Sequence, residues 1–533
     1  MLSPILRIRA SLIFSATGLV VGMALAGPAH SARAATAAIT VVDADTGRAL
    51  GGHIYLTQGT TGKRPVENLT GRGLWRGSRC NYASFGPEGF SVALPDSPCR
   101  LWIERGREYI PVVETFTGRE TDAIKRTVRL RRLIDMNAQG WWSSDLHIHR
   151  GPTVTAEQML REDVNVGFPL TWWNQPRFID DLARWLPRAK DGRSVRLDAT
   201  HIMSLINMEF EEHPHGAVFL LHLKRFFEGK VPPVEQICLD AVKNGGIVNA
   251  AKPLWKCSVE TVILGGARMM EVVNNHYLWP AALNAEAWGF PRNFAPEWRT
   301  YVPEFIGYAR YNCDIYYALL NCGYRLTAVG GTADGVLGSH VGYNRTYVYT
   351  GEKSLDLDRW LAALKAGHTF ATNGPMLFAR IHDRMPGHEV RLEPGRTLRP
   401  KITVHVLSPD PIDRFEIIHN GRVVDTVLPP HGENGKAPYT LAYAKTPIEI
   451  TESGWIAVRA FSRVTPDNVG LAHTTPVWFQ VGDAPVRPTR AEVDALIKRV
   501  DWWIDWAREK QPEAGPTYQR LKETLREHRQ RAR

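Results

Sequence analysis

The chain has 533 residues, of which 44% are hydrophobic and 10% aromatic, with 45 glycines and 35 prolines. This composition excludes collagen-like, coiled-coil and disordered proteins, and the length predicts about three domains because one core rarely exceeds about 250–300 residues. The formal net charge is +10, but the basic residues are spread along the chain. Nucleic acid is therefore not an expected partner.

Residues 1–34 have the features of a secretory signal peptide. Arg7 and Arg9 precede an apolar run at Leu12–Ala26, and small residues at Ala24–Ala26 and Ala32–Ala34 offer cleavage sites. The run is short for a membrane span, and no other stretch approaches about 20 apolar residues. We expect a periplasmic or secreted protein with no integral membrane segment once the signal is removed.

Export would place the six cysteines in an oxidising compartment, where disulfides form. One of several pairings joins neighbours in sequence, namely Cys80–Cys99, Cys238–Cys257 and Cys313–Cys322. Buried free thiols are the alternative. The spacings do not match a zinc finger.

The remaining chain divides by its periodicity into four segments. Short alternating runs broken by turn residues predict an all-β domain over 35–135. Strand-like and helical stretches alternate over 136–373, which favours βα units around a parallel sheet or barrel. Alternation returns over 374–485, with a turn at Asn420-Gly421, and predicts a β-sandwich.

Two capping boxes predict where helices begin. Thr155–Gln158 follows the strand that ends at His149, and Thr489–Glu492 precedes apolar residues at helical spacing. Residues 486–533 are therefore predicted to be a helical basic tail whose apolar face packs on a neighbouring domain.

The strongest chemical signal is His147-Ile148-His149. Residues that alternate along a strand share one face, so both imidazoles can bind the same metal ion. Two hydrogen-bonded histidines at a domain edge are the alternative interpretation.

Further polar residues follow apolar runs downstream. Glu209 closes one run, His215 follows it, and Lys252, Glu271 and Asp334 close later ones. A (β/α) barrel builds its site from such strand ends, and His with carboxylate ligands suits zinc, manganese or iron. Glu271 is expected to support the site or to cap its strand.

Together with the segment Asp145–His149, several motifs resemble the CehA/McbA-type metallohydrolases of the PHP (polymerase and histidinol phosphatase) superfamily. These further motifs are Asn321–Leu326, Asn344–Val348, Ala366–Pro375, Gly454–Arg459 and Ala472–Pro476. The resemblance implies an α/β fold, a distorted seven-stranded (β/α) PHP-type barrel flanked by an N-terminal β-sandwich-like domain and a C-terminal β-sandwich. It also implies metal-dependent hydrolysis of phosphate or carboxyl-type esters.

Carried over residue by residue, the resemblance implies five metal ligands. They are His147, His149, Glu209, His215 and Asp334. These would hold one divalent ion per chain, zinc, manganese or iron. Lys252, His215 and Arg345 are the candidate catalytic residues. Arg345, His340 and His276 are possible contacts for a phosphate or oxyanion.

The sequence departs from the family pattern at three places. Relatives have Asp-His-Asn where this chain has Trp172-Trp173-Asn174, His-Pro where it has Lys252-Pro253, and Asp-x-His where Gly335 follows Asp334. Lys252 would supply positive charge where another metal would sit, although a lysine at a strand end is more often solvated. Trp172 and Trp173 either line a substrate slot or belong to the core.

The hypothesis from sequence is an exported PHP-type hydrolase that cleaves a phosphoester or a carboxyl or carbamate ester with metal-activated water. Its substrate would be a small molecule or derive from the envelope. The alternative is a catalytically decayed PHP-barrel protein that binds an envelope glycan or a protein partner, because three family ligands are replaced.

Overall fold

The computed structural model describes residues 35–59, 71–77, 80–117, 123–212, 215–278, 304–430, 437–465 and 468–533. The predicted signal peptide at 1–34 lies outside the described residues. Within them, no helix combines the length and the apolar character that a membrane crossing needs.

The N-terminal part is built from β-strands and has its own core. Its strands are β1 (Thr36–Asp43), β2 (Gly52–Gln58), β3 (Leu74–Trp75), β4 (Ala83–Phe85), β5 (Phe90–Ala93), β6 (Cys99–Glu104), β7 (Val112–Phe116) and β8 (Ile124–Leu130). They form two sheets, in the orders β5-β1-β8 and β3-β4-β2-β6-β7. Buried and less buried residues alternate along β1 and β6, as a strand with one face on a core requires.

The middle part alternates strands and helices, as the sequence predicts. Its strands are β9 (Trp141–Ile148), β10 (Val166–Pro169), β11 (Trp172–Trp173), β12 (Ser194–Arg196), β13 (Ile202–Ser204), β14 (Met208–Glu212), β15 (Gly216–Leu221), β16 (Ile247–Ala250), β17 (Met269–Val273), β18 (Thr327–Gly330), β19 (Arg345–Tyr349) and β20 (Thr369–Thr372). Its helices are α1 (Pro152–Glu162), α2 (Ile179–Trp185), α3 (Glu235–Lys243), α4 (Cys257–Ile263), α5 (Phe305–Asn321) and α6 (Leu357–Ala366).

These middle strands divide between two sheets, and the expected closed seven-stranded barrel is not found in the part of the chain that is described. One sheet has the order β11-β14-β15-β16-β17-β18, and the other runs β12-β13-β10-β9-β19-β20 and beyond. Parallel pairs such as β9–β10 and β17–β18 alternate with antiparallel ones such as β14–β15. The second edge of β9 is paired with antiparallel β19, so β9 and β18 are not paired in one sheet. The segment after β18 reaches β9 through an isolated bridge between Ile148 and Asp334.

Of the C-terminal strands that the structure describes, six extend one of these sheets and three form a separate sheet. They are β21 (Met376–Ile381), β22 (Glu389–Leu392), β23 (Ile402–Ser408), β24 (Ile412–His419), β25 (Arg422–Val427), β26 (Tyr439–Lys445), β27 (Gly454–Thr465), β28 (Asn468–Thr474) and β29 (Val477–Val481). Because β20 pairs with β28, the sheet continues through β27, β24 and β25 and has 12 strands in all. The predicted turn at Asn420-Gly421 is confirmed, since both residues have positive φ between β24 and β25.

The last two helices are α7 (Arg490–Lys510) and α8 (Gly515–Arg531), which form a C-terminal helical hairpin. The capping box at its start is confirmed, because Thr489 Oγ1 accepts from the Glu492 N–H and Glu492 Oε2 accepts from the Thr489 N–H at 2.6 Å. Apolar residues of the hairpin join the core of the middle part. The segment predicted as a basic tail is therefore packed, and Arg520, Lys522 and Arg529 form ion pairs within the chain.

Two local predictions are wrong. Helix α1 begins at Pro152 with Gly151 as its N-cap, so Thr155 lies inside the helix. Proline suits the first helical position because its φ is preset and its missing N–H would have had no partner there. All six cysteines are buried and none is in a disulfide within the described residues, so the neighbouring-cysteine pairings are not observed.

Candidate metal centre

His147, His149 and Glu209 converge in the middle part, although β9 and β14 belong to different sheets. His147 is in β9, His149 follows it directly, and Glu209 is in β14. Their candidate ligand atoms all lie within 4.8 Å of one another, and all three residues are buried. The structure thus brings together the two histidines and the first carboxylate that the sequence singled out.

The imidazoles face each other through their outer nitrogens. Nε2 of His147 lies 3.0 Å from Nε2 of His149, and the latter atom lies 3.2 Å from Oε2 of Glu209. That oxygen is buried without a hydrogen-bond partner among the described residues. Two nitrogens and a carboxylate oxygen aimed at a common point form a donor set that suits zinc, manganese or iron.

Glu271 supports His147 from the side away from the cluster. Its Oε2 lies 3.3 Å from Nδ1 of His147, and Phe219 packs on the same ring with centroids 4.2 Å apart. A metal-binding histidine typically donates the N–H of its other ring nitrogen to a carboxylate. This hydrogen bond fixes the ring and leaves Nε2 for the metal. Gly331 permits this approach, because a Cβ there would lie 2.2 Å from Glu271 Oε1.

Burial sets the charge preferences of the cluster. It lowers the pKa of His147 and of His149 well below the ordinary histidine value, and nearby positive charge, including Lys252, lowers both further. Burial also raises the pKa of Glu209 well above its usual range and that of Glu271 to about 8. Neutral imidazoles are the form that binds metal, and an added cation would favour both ionised carboxylates.

Lys252 reaches this cluster from the end of β16. Its side chain is only 3% exposed, and its positive charge acts on His147, His149, Glu209 and Glu271. The solvated position that was the alternative from sequence is therefore wrong.

Asp145 anchors the strand that carries the two histidines. Its carboxylate accepts hydrogen bonds from the backbone N–H groups of His147 at 3.1 Å, Thr332 at 3.1 Å and Gly342 at 2.8 Å. These contacts tie β9 to the segment that follows β18, which fixes where the imidazoles point.

Trp173 and Arg177 form the exposed rim beside His149. The indole ring of Trp173 lies 4.5 Å from the His149 ring, and the Arg177 guanidinium lies 5.3 Å from the Trp173 ring centroid. Trp172 instead packs near Phe210 and Phe226. One tryptophan of the pair thus borders the site and the other borders the core.

The carboxylate of Asp334 does not join the cluster. It binds Arg150, whose Nε lies 3.0 Å from Oδ2, and accepts a hydrogen bond of 3.2 Å from the Tyr82 hydroxyl. The structure therefore does not support Asp334 as a metal ligand, because a guanidinium and a phenol bind its carboxylate oxygens. Its backbone oxygen still accepts from the His149 N–H at 2.8 Å.

His215 also lies elsewhere. Its Nε2 is 3.0 Å from the Tyr518 hydroxyl and 3.3 Å from Oε2 of Glu260, and its ring packs on Trp503 at 4.3 Å. This histidine contacts the C-terminal helical hairpin, so neither its ligand role nor its catalytic role is supported. His213 and Pro214 of the same motif lie outside the described residues.

Arg345 has a structural role instead of an anion-binding one. Its side chain is fully buried and donates to the backbone oxygens of Gly342 at 2.7 Å, Asp163 at 3.0 Å and Glu162 at 2.5 Å. These bonds join the end of α1 to β19 and leave the guanidinium facing backbone.

Sequence reasoning missed two residues at the edge of the centre, Arg150 and Tyr82. Arg150 directly follows His149, so its proximity could have been noticed. Tyr82 comes from the N-terminal part and meets Asp334 across 252 positions. No pattern of nearby residues in the sequence predicts such a contact.

Comparisons with known proteins add one distant likeness. No protein-family model matches the sequence, and no curated protein does. Among solved structures, the chain is similar to a two-domain protein from Bacteroides vulgatus containing a predicted PHP-like metal-dependent phosphoesterase. The identity is 14%, the TM-score is 0.32, and the match covers 64% of this chain and 97% of that one. Values this low do not establish a shared fold.

Proposed function

We propose that the chain is a metal-dependent hydrolase of ester bonds, of the PHP type, with its centre at His147, His149 and Glu209. The observation that carries this proposal is the convergence of two imidazole nitrogens 3.0 Å apart beside a carboxylate oxygen that accepts no hydrogen bond from the described residues. The lone pairs of these two nitrogens and this oxygen would repel one another unless a proton or a cation lay between them.

The donor set fits a divalent ion. His147 and His149 would bind it through Nε2 and Glu209 through its carboxylate, with Glu271 holding the His147 ring. When bound, the ion would supply Lewis acidity at the scissile ester and a nucleophile at neutral pH.

The residues around the centre favour an anionic ester. Lys252 is buried beside the ligands, and Arg177 lies over Trp173 at the rim. Positive groups of this kind neutralise the charge on a phosphoester and on its transition state. A phosphoester is therefore the favoured substrate, with carboxyl and carbamate esters as the other classes. Export to the periplasm or outside the cell remains part of the proposal.

The proposal is tested on protein purified without a polyhistidine tag. We expect a bound divalent metal by elemental analysis and, in a panel of phosphomonoesters, phosphodiesters, carboxyl esters and carbamates, hydrolysis that a chelator abolishes. Adding zinc, manganese or iron should restore it. Turnover by metal-free protein would contradict the mechanism.

Replacing Lys252 by methionine is expected to reduce kcat by about 10²–10³-fold, as loss of a transition-state electrostatic contact typically does. Steady-state kinetics measures this, and metal content should be unchanged because Lys252 is not a ligand. The control is Lys224→Met, which removes an exposed lysine and should leave kcat as it is. Equal kcat in the Lys252 variant and the wild type would exclude this role.

A second function is favoured by the position of Asp334. Since Arg150 and Tyr82 hold its carboxylate, the centre has one carboxylate fewer than expected, as it would in a catalytically decayed protein. That protein would bind an envelope glycan or a protein partner. Metal binding without hydrolysis of any panel substrate would support this function over the enzyme.

A further inference from the structure

A second His and Glu cluster lies where the N-terminal part meets the middle part. His53 belongs to β2, Glu162 ends α1, and His340 lies between β18 and β19. Their candidate ligand atoms all lie within 4.8 Å of one another, and the residues are 0%, 0% and 1% exposed. None of the three belongs to the candidate metal centre.

One carboxylate serves both imidazoles. Oε1 of Glu162 lies 2.9 Å from Nδ1 of His53, and Oε2 lies 3.6 Å from Nδ1 of His340. The two rings stack with their centroids 3.9 Å apart. Two rings in one orientation around a shared carboxylate place their nitrogens on the same side of the cluster.

The far nitrogen of His53 adds an independent observation. Its Nε2 is buried without a hydrogen-bond partner in the part of the chain that the structure describes, and Oε2 of Glu104 lies 3.5 Å away. A carboxylate behind a histidine is the usual outer partner of a metal ligand, since it orients the ring and increases its basicity. His53 therefore has Glu162 on its inner side and Glu104 on its outer side.

We propose that His53, Glu162 and His340 bind a second divalent cation of the zinc class, which joins the N-terminal part to the middle part. Imidazole and carboxylate are ligands that zinc accepts. Complete burial suits a structural ion, because catalysis needs a position open to substrate. On binding, His340 gives up the 3.0 Å contact of its Nδ1 with the Val341 backbone oxygen.

A proton competes with the ion for this position. An imidazolium at His53 between Glu162 and Glu104 would also hold the cluster, by ion pairing alone, and would leave no room for a metal. The experiment separates these two occupants.

The test uses full-length, untagged protein in which His147 and His149 are both replaced by alanine, so that, of the two clusters found in the described residues, only the second can hold metal. We expect about one equivalent of zinc per chain by elemental analysis after loading and desalting. A chelator should lower Tm of this variant. If the variant contains no metal and the chelator leaves its Tm unchanged, the proposal is overturned in favour of an imidazolium at His53.

Adding His53→Gln to that variant should remove the remaining equivalent. The matched control is His201→Gln, which alters another buried histidine, paired with Asp198 and Asp163, and should leave the metal bound. Retention of zinc after His53→Gln would also overturn the proposal. Since the candidate metal centre is deleted throughout, the result does not depend on whether the protein is a hydrolase.

Discussion

Replacing His147 by alanine is expected to abolish metal binding at the candidate metal centre and to reduce hydrolysis by well over a hundredfold. The variant loses one of only two imidazole ligands, and His149 with Glu209 alone cannot define a coordination site. Calorimetric metal titration and steady-state kinetics measure the two effects.

Glu271→Gln provides the graded comparison. It removes the charge behind His147 but keeps the ligands, so metal affinity should fall by about 10–100-fold, the usual effect of an outer-shell change. His201→Gln, in a separate buried pair, should change neither quantity. Full activity in His147→Ala would place the chemistry elsewhere in the chain.

Trp503→Ala is expected to lower the free energy of unfolding by about 3–5 kcal/mol, the range measured for buried aromatic residues. Its side chain is 1% exposed and packs on His215 and Tyr518 between the C-terminal helical hairpin and the middle part. The substitution leaves a cavity between the hairpin and the middle part, and the closely packed side chains around it cannot move far enough to fill it. Denaturant unfolding, followed by circular dichroism, measures the loss.

Trp506→Ala is the matched control on the same helix. Trp506 is only partly buried and lies at the margin of the same cluster, so its loss should be clearly smaller. Equal losses in the two variants would mean that the hairpin is not held by the packing around Trp503.

Much of the local structure follows from the sequence. Thr489 and Glu492 predict the start of α7 because capping needs only residues three positions apart, and Asn420-Gly421 predicts its turn because both residues tolerate positive φ. Whether the strands close into a barrel does not follow from the sequence in the same way. Whether β9 pairs with β18 or with β19 depends on competition between distant strands, which periodicity does not report.

In the site too, the sequence predicts the local features and not the long-range contacts. His147 and His149 are placed by alternation along one strand, and Glu209 by its position at the end of a later apolar run, near the start of β14. The direction of the Asp334 carboxylate is decided by Arg150 and by Tyr82, a residue of another part of the chain. His215 was misassigned because its partners, Glu260 and Tyr518, come from helices that contact it only in the folded protein.

The pairing of β20 with β28 has a mechanical consequence. Backbone hydrogen bonds run without a break from β9, which carries His147, through β19 and β20 into β28 and β27. Any rotation of the C-terminal strands relative to the middle part would break these inter-strand hydrogen bonds, so the two parts should move as one rigid body. Opening of the centre to an incoming molecule is then left to its rim, where Trp173 ends β11 and Arg177 lies on the short segment between β11 and α2.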